Sequence, residues 1–517
     1  MALAAVPMLV DAPAPAAVPE YDQTIVDVIV ADWSSDTTQH AEPNIAVDWQ
    51  SPGTIAVSAL FLGTGQDDGF CRRDLSAMVM SFDGGDTWSL RCQLPLRPSS
   101  GTDNDGPWTR WYPAGDVSLD FSGDGTLLYG SYISPESDPN YAVGRVVEIT
   151  NWKDAATTKT TDLTPSGGIV DIDLPYTAAL HAPGQTGLIV GGILFSGMGT
   201  SDGCGNGMVW WWAGTQPEAA RCVAMRDNNK GAYDESVRPV VHNSGKAYAA
   251  FFRPVPKKLG KYDLVLVGGT LSANGSFPLG GLSETPPGTS SGTGDSCGKG
   301  AGTDGKLGVR LVRCTTIPED IENEPVRRPM GQQVRGSDQI ALAVHPDDPG
   351  IVYIAYADKP GAALMTLHLV VSKDGGKSIG RDLHTVDNAL NPAVAVDSRG
   401  RVALLYQKYV KNGSHTYWET RITISNEDQT RWRNILLSQT PADTPVFQYD
   451  PYIGDFVDLA VVDETFYGVF CANNDPKFHK SVKYLRDVTT GPNGTRTLAG
   501  GVPVSIDPFF FKLVPHP

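Results

Sequence analysis

The feature that most constrains this chain is a pattern that returns seven times along it. Each copy is a short apolar strand, a tight polar turn carrying Gly or Asp, and a second strand rich in Tyr and Val. It reads IAVDWQSPGTIAVSALF from Ile45, VSLDFSGDGTLLYGSYI from Val117 and VVHNSGKAYAAFF from Val240. It returns as LAVHPDDPGIVYIAYA from Leu342, VAVDSRGRVALLYQ from Val394 and LAVVDETFYGVFC from Leu459, with a weaker copy, YTAALHAPGQTGLIVGGIL, from Tyr176. Self-similarity of this kind marks a repeat architecture. The first strand of each copy is apolar on both faces, as a strand covered on both sides by neighbouring units must be. Most copies start about 50 to 75 residues apart, enough for one four-stranded blade of a β-propeller. The expected fold is all-β: a seven-bladed β-propeller of four-stranded antiparallel blades, with six blades as the alternative. Residues 1–21 read as a Pro/Ala-rich arm and 22–517 as a single propeller domain. The one long step, between Val240 and Leu342, holds a Gly/Ser/Thr-rich loop insertion at about 279–314. Two segments, Asp22–Asp32 and the run from Val502, each read as a strand able to complete the last blade and so remove an exposed edge.

A second motif sits between later strands of a blade. Ser81-Phe82-Asp83-Gly84-Gly85-Asp86-Thr87-Trp88 has the form S-x-D-x-G-x-T-W. Ser372-Lys373-Asp374-Gly375-Gly376-Lys377-Ser378-Ile379 repeats it with two replacements, and Ser425–Trp432 reads as a worn third copy. The residue types suit a tight turn: the Asp side chain bonds turn backbone, Gly supplies permissive φ, and the aromatic packs between blades. These segments resemble the Asp boxes of the sialidase-like, BNR-repeat propeller superfamily. The resemblance covers nearly the whole chain as architecture and is motif-specific only at these turns. It implies that Ser81, Asp83, Gly85, Trp88, Ser372, Asp374 and Gly376 are structural and lie on the face away from any active site. The Arg-Ile-Pro motif of true sialidases is absent; the corresponding region reads HAEPNIAVD from His40.

Composition limits the partners. Hydrophobic residues make up 41% of the chain, enough for a large core. The net charge of -17 argues against nucleic acid, which needs a basic face. No stretch of 18 apolar residues exists, so no membrane span is expected. The apolar start, Met1–Pro19, lacks a basic region and reads as an extended arm rather than a signal peptide. Six of the seven cysteines form local pairs, Cys71 with Cys92, Cys204 with Cys222, and Cys297 with Cys314. Disulfides there would mean an oxidising compartment, hence an extracellular or cell-surface location; six reduced, buried thiols are the alternative. No pair has CxxC spacing, so zinc is not expected; no metal or other cofactor is expected. Cys471 lies in an apolar strand and reads as buried.

In a propeller the loops entering each innermost strand surround one mouth of the central channel. The residues there are His40, Glu42, Arg110, Tyr112, Asp116, Asp173, Tyr176, Asp234, Glu235, Arg238, Arg335, Asp338, Asp387, Asn391, Tyr449, Asp450, Tyr452 and Asp455. Carboxylates, tyrosines and arginines in one ring suit glycan chemistry. A carboxylic acid with raised pKa protonates a glycosidic oxygen, a tyrosine beside a carboxylate can act as nucleophile, and Arg holds a sugar carboxylate. The candidate catalytic residues are Glu42, Asp116, Glu235, Tyr449 and Tyr452. Arg110, Tyr112, Arg238, Arg335 and Asp338 are candidates for binding substrate, the three arginines being those available for a carboxylate clamp. Each residue can equally cap a strand or bond a neighbouring blade. His40, His181 and His242 show no ligand spacing. The run Trp210-Trp211-Trp212 suits a sugar platform or interblade packing. The expected partner is a glycan or polysaccharide, processed by glycoside hydrolysis. A non-catalytic glycan- or protein-binding propeller and a polysaccharide lyase acting on a uronate are the alternatives. Oligomeric state is not legible.

Overall fold

A computed structural model describes residues 17–30, 39–60, 71, 75–95, 114–135, 142–154, 156–164, 169–170, 172–182, 186–194, 207–213, 221–224, 237–255, 258, 260–271, 297, 308–317, 339–359, 365–442 and 453–516. They form seven antiparallel blades in a ring, with one further two-stranded hairpin. The innermost strands are Ala41–Val47, Gly115–Phe121, Ile172–Ala179, Arg238–Val241, Ile340–His345, Ala389–Val396 and Asp458–Val462. Each begins close to one of the seven sequence copies.

The apolar character of these strands on both faces has a direct structural reading. In the first, Ile45 and Val47 pack with Val469 and Phe510 of the seventh blade. Ala46, between them, packs with Val117 and Phe121 of the second. Alternation along one strand therefore feeds two different interblade cores, and every boundary round the ring is filled this way. The tryptophan run follows the same rule. Trp210 and Trp212 enter the core shared with the second blade, and Trp211 enters the core shared with the fourth. All three are buried, so interblade packing, not a sugar platform, is their role.

Both terminal strands close the ring. The seventh blade runs Asp458–Val462, Thr465–Asn473, Ile506–Pro515 and Tyr21–Asp27, so the C-terminal strand is its third and the N-terminal strand its fourth. Tyr21 pairs with Pro515 and Asp27 with Phe509 across an unbroken register. The excursion from residue 474 to 505, between second and third strands, adds Lys483–Tyr484 as a parallel outer strand. Sequence reading did not single out this excursion. In the fourth blade the Gly/Ser/Thr-rich run falls between the strands Lys261–Thr270 and Val309–Thr316, so the end of the expected insertion is strand.

The Ser81 and Ser372 turns share one set of bonds. Asp83 Oδ1 accepts from Ser81 Oγ (2.9 Å) and from the N–H groups of Asp86 (3.0 Å) and Thr87 (2.8 Å). Asp374 Oδ1 accepts from Ser372 Oγ (2.7 Å) and from the N–H groups of Lys377 and Ser378 (both 3.0 Å). Trp88 packs edge-on against Phe510, and Gly85 (φ 97°) lies so close to that ring that a Cβ would sit 2.3 Å from it. The third copy is built differently: Asn426 Oδ1 accepts from the N–H groups of Thr430 and Arg431, the place Asp takes in the other two. Gly84 donates to the Gly53 carbonyl, in the turn after the first blade's innermost strand, and Gly375 to the Gly350 carbonyl, near the start of the strand Asp348–Asp358 that follows the fifth blade's. These motifs thus lie on the face where innermost strands end, opposite the face where they begin.

Among the described residues two disulfides form, Cys71–Cys92 and Cys297–Cys314, with Cα separations of 5.5 and 4.9 Å. Cys471 is free and buried. The side chains of Cys204 and Cys222 lie outside the described residues. No described helix is long and apolar enough to cross a membrane.

Candidate functional site

Four innermost strands break register at the same point, their entry. The breaks fall between Ala41 and Asn44, Gly115 and Ser118, Asp173 and Tyr176, and Leu390 and Ala393. Inside each bulge one non-glycine residue takes a left-handed backbone: Glu42 (φ 51°), Asp116 (φ 44°), Leu174 (φ 49°) and Asn391 (φ 53°). Such a conformation costs about 1–3 kcal/mol per residue, and a bulge re-aims the side chain it carries. In the seventh blade Gly454 (φ 96°) takes this role, and a Cβ there would lie 2.5 Å from the Glu42 nitrogen. Glycine is what allows that blade to close on Glu42.

Three of these bulges, and the segment after Gly454 that leads into the seventh blade, gather carboxyl groups from different blades. Glu42 is 4% exposed, Asp455 5%, Asp173 8% and Asp116 9%. Burial, then the charge of Asp116 and a hydrogen bond with it, push the Glu42 carboxyl well above the usual range; Asp455 and Asp173 push the same way. Like charges so close cannot all ionise, so the Glu42–Asp116 pair retains a proton. Asp116 also has a framework role, since its Oδ2 accepts the Leu174 N–H at 3.1 Å. Asn391 is framework: its amide donates to Gln407 Oε1 (2.7 Å) and to the Gly454 carbonyl (2.8 Å).

One layer further in, aromatic rings hold a cation. The Arg238 guanidinium lies 3.2 Å from the centre of the Tyr176 ring and 5.4 Å from that of Phe456, and the two rings meet edge-on at 5.5 Å. Beyond this layer runs a cavity of about 280 Å³ lined by the innermost strands of all seven blades. Tyr176, Arg238 and Phe456 line it, but Glu42, Asp116, Asp173 and Asp455 do not. The carboxyl cluster is therefore not part of the cavity lining, to which Arg238 does belong. Asp458, inside the cavity, is pushed up to about 6 by loss of solvation, against bonds from the Ile45 and Leu459 N–H groups.

Of the residues singled out from sequence, Glu42 and Asp116 come together, joined by Asp173 and Asp455; Tyr176 and Arg238 form the layer beneath. Asp387 does not join them: it ends an outermost strand, exposed, and accepts from Thr366. His40 is buried with Nδ1 3.3 Å from the Leu60 carbonyl, and His242 bridges Ser244 and the Pro346 carbonyl; both are framework. Arg110, Tyr112, Asp234, Glu235, Arg335, Asp338, Tyr449, Asp450 and Tyr452 lie outside the described residues. Sequence reading missed Gly454 and Asp458. The Gly454-Asp455 pair before an apolar strand was the available signal for the first; Asp458 looked like an ordinary strand start. Among the described residues no group of His, Cys, Asp and Glu is arranged to hold a metal ion.

No family model matches this sequence, and no curated protein matches it. Solved structures of similar fold include a protein of unknown function from Dyadobacter fermentans DSM 18053, 12% identical over 96% of this chain and 100% of that one, with a TM-score of 0.44. A Hadza microbial sialidase is 10% identical over 81% of this chain and 70% of its own, with a TM-score of 0.39. The GH93 alpha-L-arabinofuranosidase of Fusarium graminearum is 9% identical over 95% and 97%, with a TM-score of 0.38. At these identities the likeness concerns the fold alone.

Proposed function

We propose that this protein is an extracellular enzyme that cleaves glycosidic bonds at the channel mouth where the innermost strands begin, with Glu42 as general acid. The observation that carries the reading is the convergence of Glu42, Asp116, Asp173 and Asp455 from separate blades, Glu42 on a strained bulge and hydrogen-bonded to Asp116. A carboxyl that holds its proton more tightly than usual is what a glycosidic leaving group requires. Glu42 gives its proton to the glycosidic oxygen as the bond from that oxygen to the anomeric carbon breaks. Asp173 and Asp455 are assigned to offset the positive charge that develops on the sugar ring. Water then adds to the anomeric carbon, and its proton returns to the carboxyl cluster.

Arg110, Tyr112, Glu235, Arg335, Asp338, Tyr449 and Tyr452 stand in sequence on the segments leading into these innermost strands. We assign Glu235, Tyr449 and Tyr452 to the chemistry and the others to holding the sugar; Arg238 supports the floor beneath. The disulfides Cys71–Cys92 and Cys297–Cys314 support an oxidising compartment. The Ser81 and Ser372 turns support a sialidase-like scaffold.

Incubation with sialosides, neutral aryl glycosides and uronate polymers tests this, following reducing ends and unsaturated products separately. New reducing ends without unsaturation, lost in Glu42→Gln, are expected. Saturable glycan binding without turnover, or unsaturated products, would overturn the hydrolase reading.

A further inference from the structure

The far end of the channel carries a feature the chemistry at the entry mouth leaves unused. Trp49, just past the end of the first blade's innermost strand, is a large ring left 38% exposed while lining the cavity. Its ring lies 4.7 Å from that of His181, inclined at 41°. His181 Nε2 is 3.0 Å from Asp120 Oδ1, and Asp120 Oδ2 is fixed by the Ala179 N–H at 2.8 Å. Gln50, next to Trp49, is anchored to the Gly123 carbonyl at 3.1 Å, which holds this turn against the second blade. Asn243 adds an exposed amide to the cavity lining.

We infer that this end of the channel is a second ligand site, which takes a neutral sugar residue. A pyranose ring has one apolar face and an edge of hydroxyls. The Trp49 indole matches the face, and the His181–Asp120 pair and Asn243 match the edge as donors and acceptors. A cavity of about 280 Å³ lies at the small end of ligand pockets, so it takes a chain end or a short saccharide, not a polymer crossing the ring. Asp120, Asp458 and Arg238 all line it, and two carboxyl groups against one arginine favour a neutral sugar over a sialate or uronate. The site does not depend on the entry-mouth reading, because Trp49 and Glu42 lie at opposite ends of one innermost strand and Glu42 does not line the cavity.

Isothermal titration with methyl glycosides of neutral hexoses, hexosamines and pentoses tests it, with glucuronic and N-acetylneuraminic acids as comparators. Wild type is expected to bind at least one neutral glycoside saturably. Trp49→Ala weakens it about tenfold or more, Trp49→Phe restores most of the loss, and Glu42→Gln leaves it unchanged. A thermal midpoint for Trp49→Ala equal to wild type shows that the loss is local. No saturable binding by any neutral glycoside, equal binding by Trp49→Ala, preference for the acidic sugars, or loss of binding in Glu42→Gln would each overturn the proposal. Turnover lost in Glu42→Gln but kept in Trp49→Ala separates a failure here from a failure at the entry mouth.

Discussion

At Glu42 a left-handed backbone, a buried carboxyl and three further carboxylates coincide. Glu42→Gln is expected to lower kcat/KM by about 10²–10⁴-fold, the usual worth of a positioned acid, measured on the best substrate of the glycan panel. Asp116→Asn removes the neighbouring charge but keeps an oxygen for the Leu174 N–H. Glu42 then titrates lower, so the alkaline limb of the kcat/KM profile moves to lower pH. The same shift governs stability. The folded-state value lies above the ordinary 4.5, so the folded chain binds this proton more tightly than the unfolded one. That contribution is present in full below about 4.5 and is lost as pH rises through the folded-state value. Glu42→Gln is expected to raise the thermal midpoint relative to wild type increasingly from pH 5 upward. Glu42 and Asp116 were legible because they precede repeat copies. Asp387 precedes a copy too, yet belongs to the outer edge, because it is itself the last residue of the fifth blade's outermost strand, His384–Asp387. Gly454 was illegible for a different reason: its role is to lack a side chain where another blade's backbone passes.

Among the elements, the Ser81–Trp88 turn was read from sequence down to the bonding role of Asp83, because all its partners lie within a few residues. Asp83→Ala removes those acceptors and is expected to cost about 1–2 kcal/mol in denaturant unfolding, with kcat/KM unchanged because the turn is on the opposite face. Burial is the largest single influence and would raise the Asp83 carboxyl, but hydrogen bonds from the Thr87 and Ser81 hydroxyls and the Thr87 and Asp86 N–H groups together outweigh it and hold Asp83 down to about 2. The stabilisation is present above the ordinary 3.8 and fades as pH falls through about 2. The innermost strands were legible as apolar on both faces. Their bulges were not, since a bulge is a register shift between partners, and no single strand's sequence shows it. The tryptophan run stayed ambiguous until the facing blades were known: Trp211 alone gives no sign that Val237 and Ala249 await it.

For the whole molecule, closure depends on pairing the two ends of the chain. The repeat count and the two terminal strands made a closed ring legible, but the excursion that locks it was not. Arg486, from that excursion, is buried against Asp507 of the C-terminal strand, with its guanidinium 3.5 Å from Asp27 of the N-terminal one. Arg486→Ala leaves two buried carboxylates without this partner and is expected to cost about 3–5 kcal/mol, read as a lowered denaturation midpoint. The ring so closed separates two faces, one for turns that hold the blades and one for carboxyl groups drawn from several blades. The most direct test of that division is kcat/KM for reducing-end release by wild type, Glu42→Gln and Asp83→Ala on the same glycan. The account predicts that Glu42→Gln falls by at least about a hundredfold while Asp83→Ala matches wild type. Turnover retained in Glu42→Gln would contradict it.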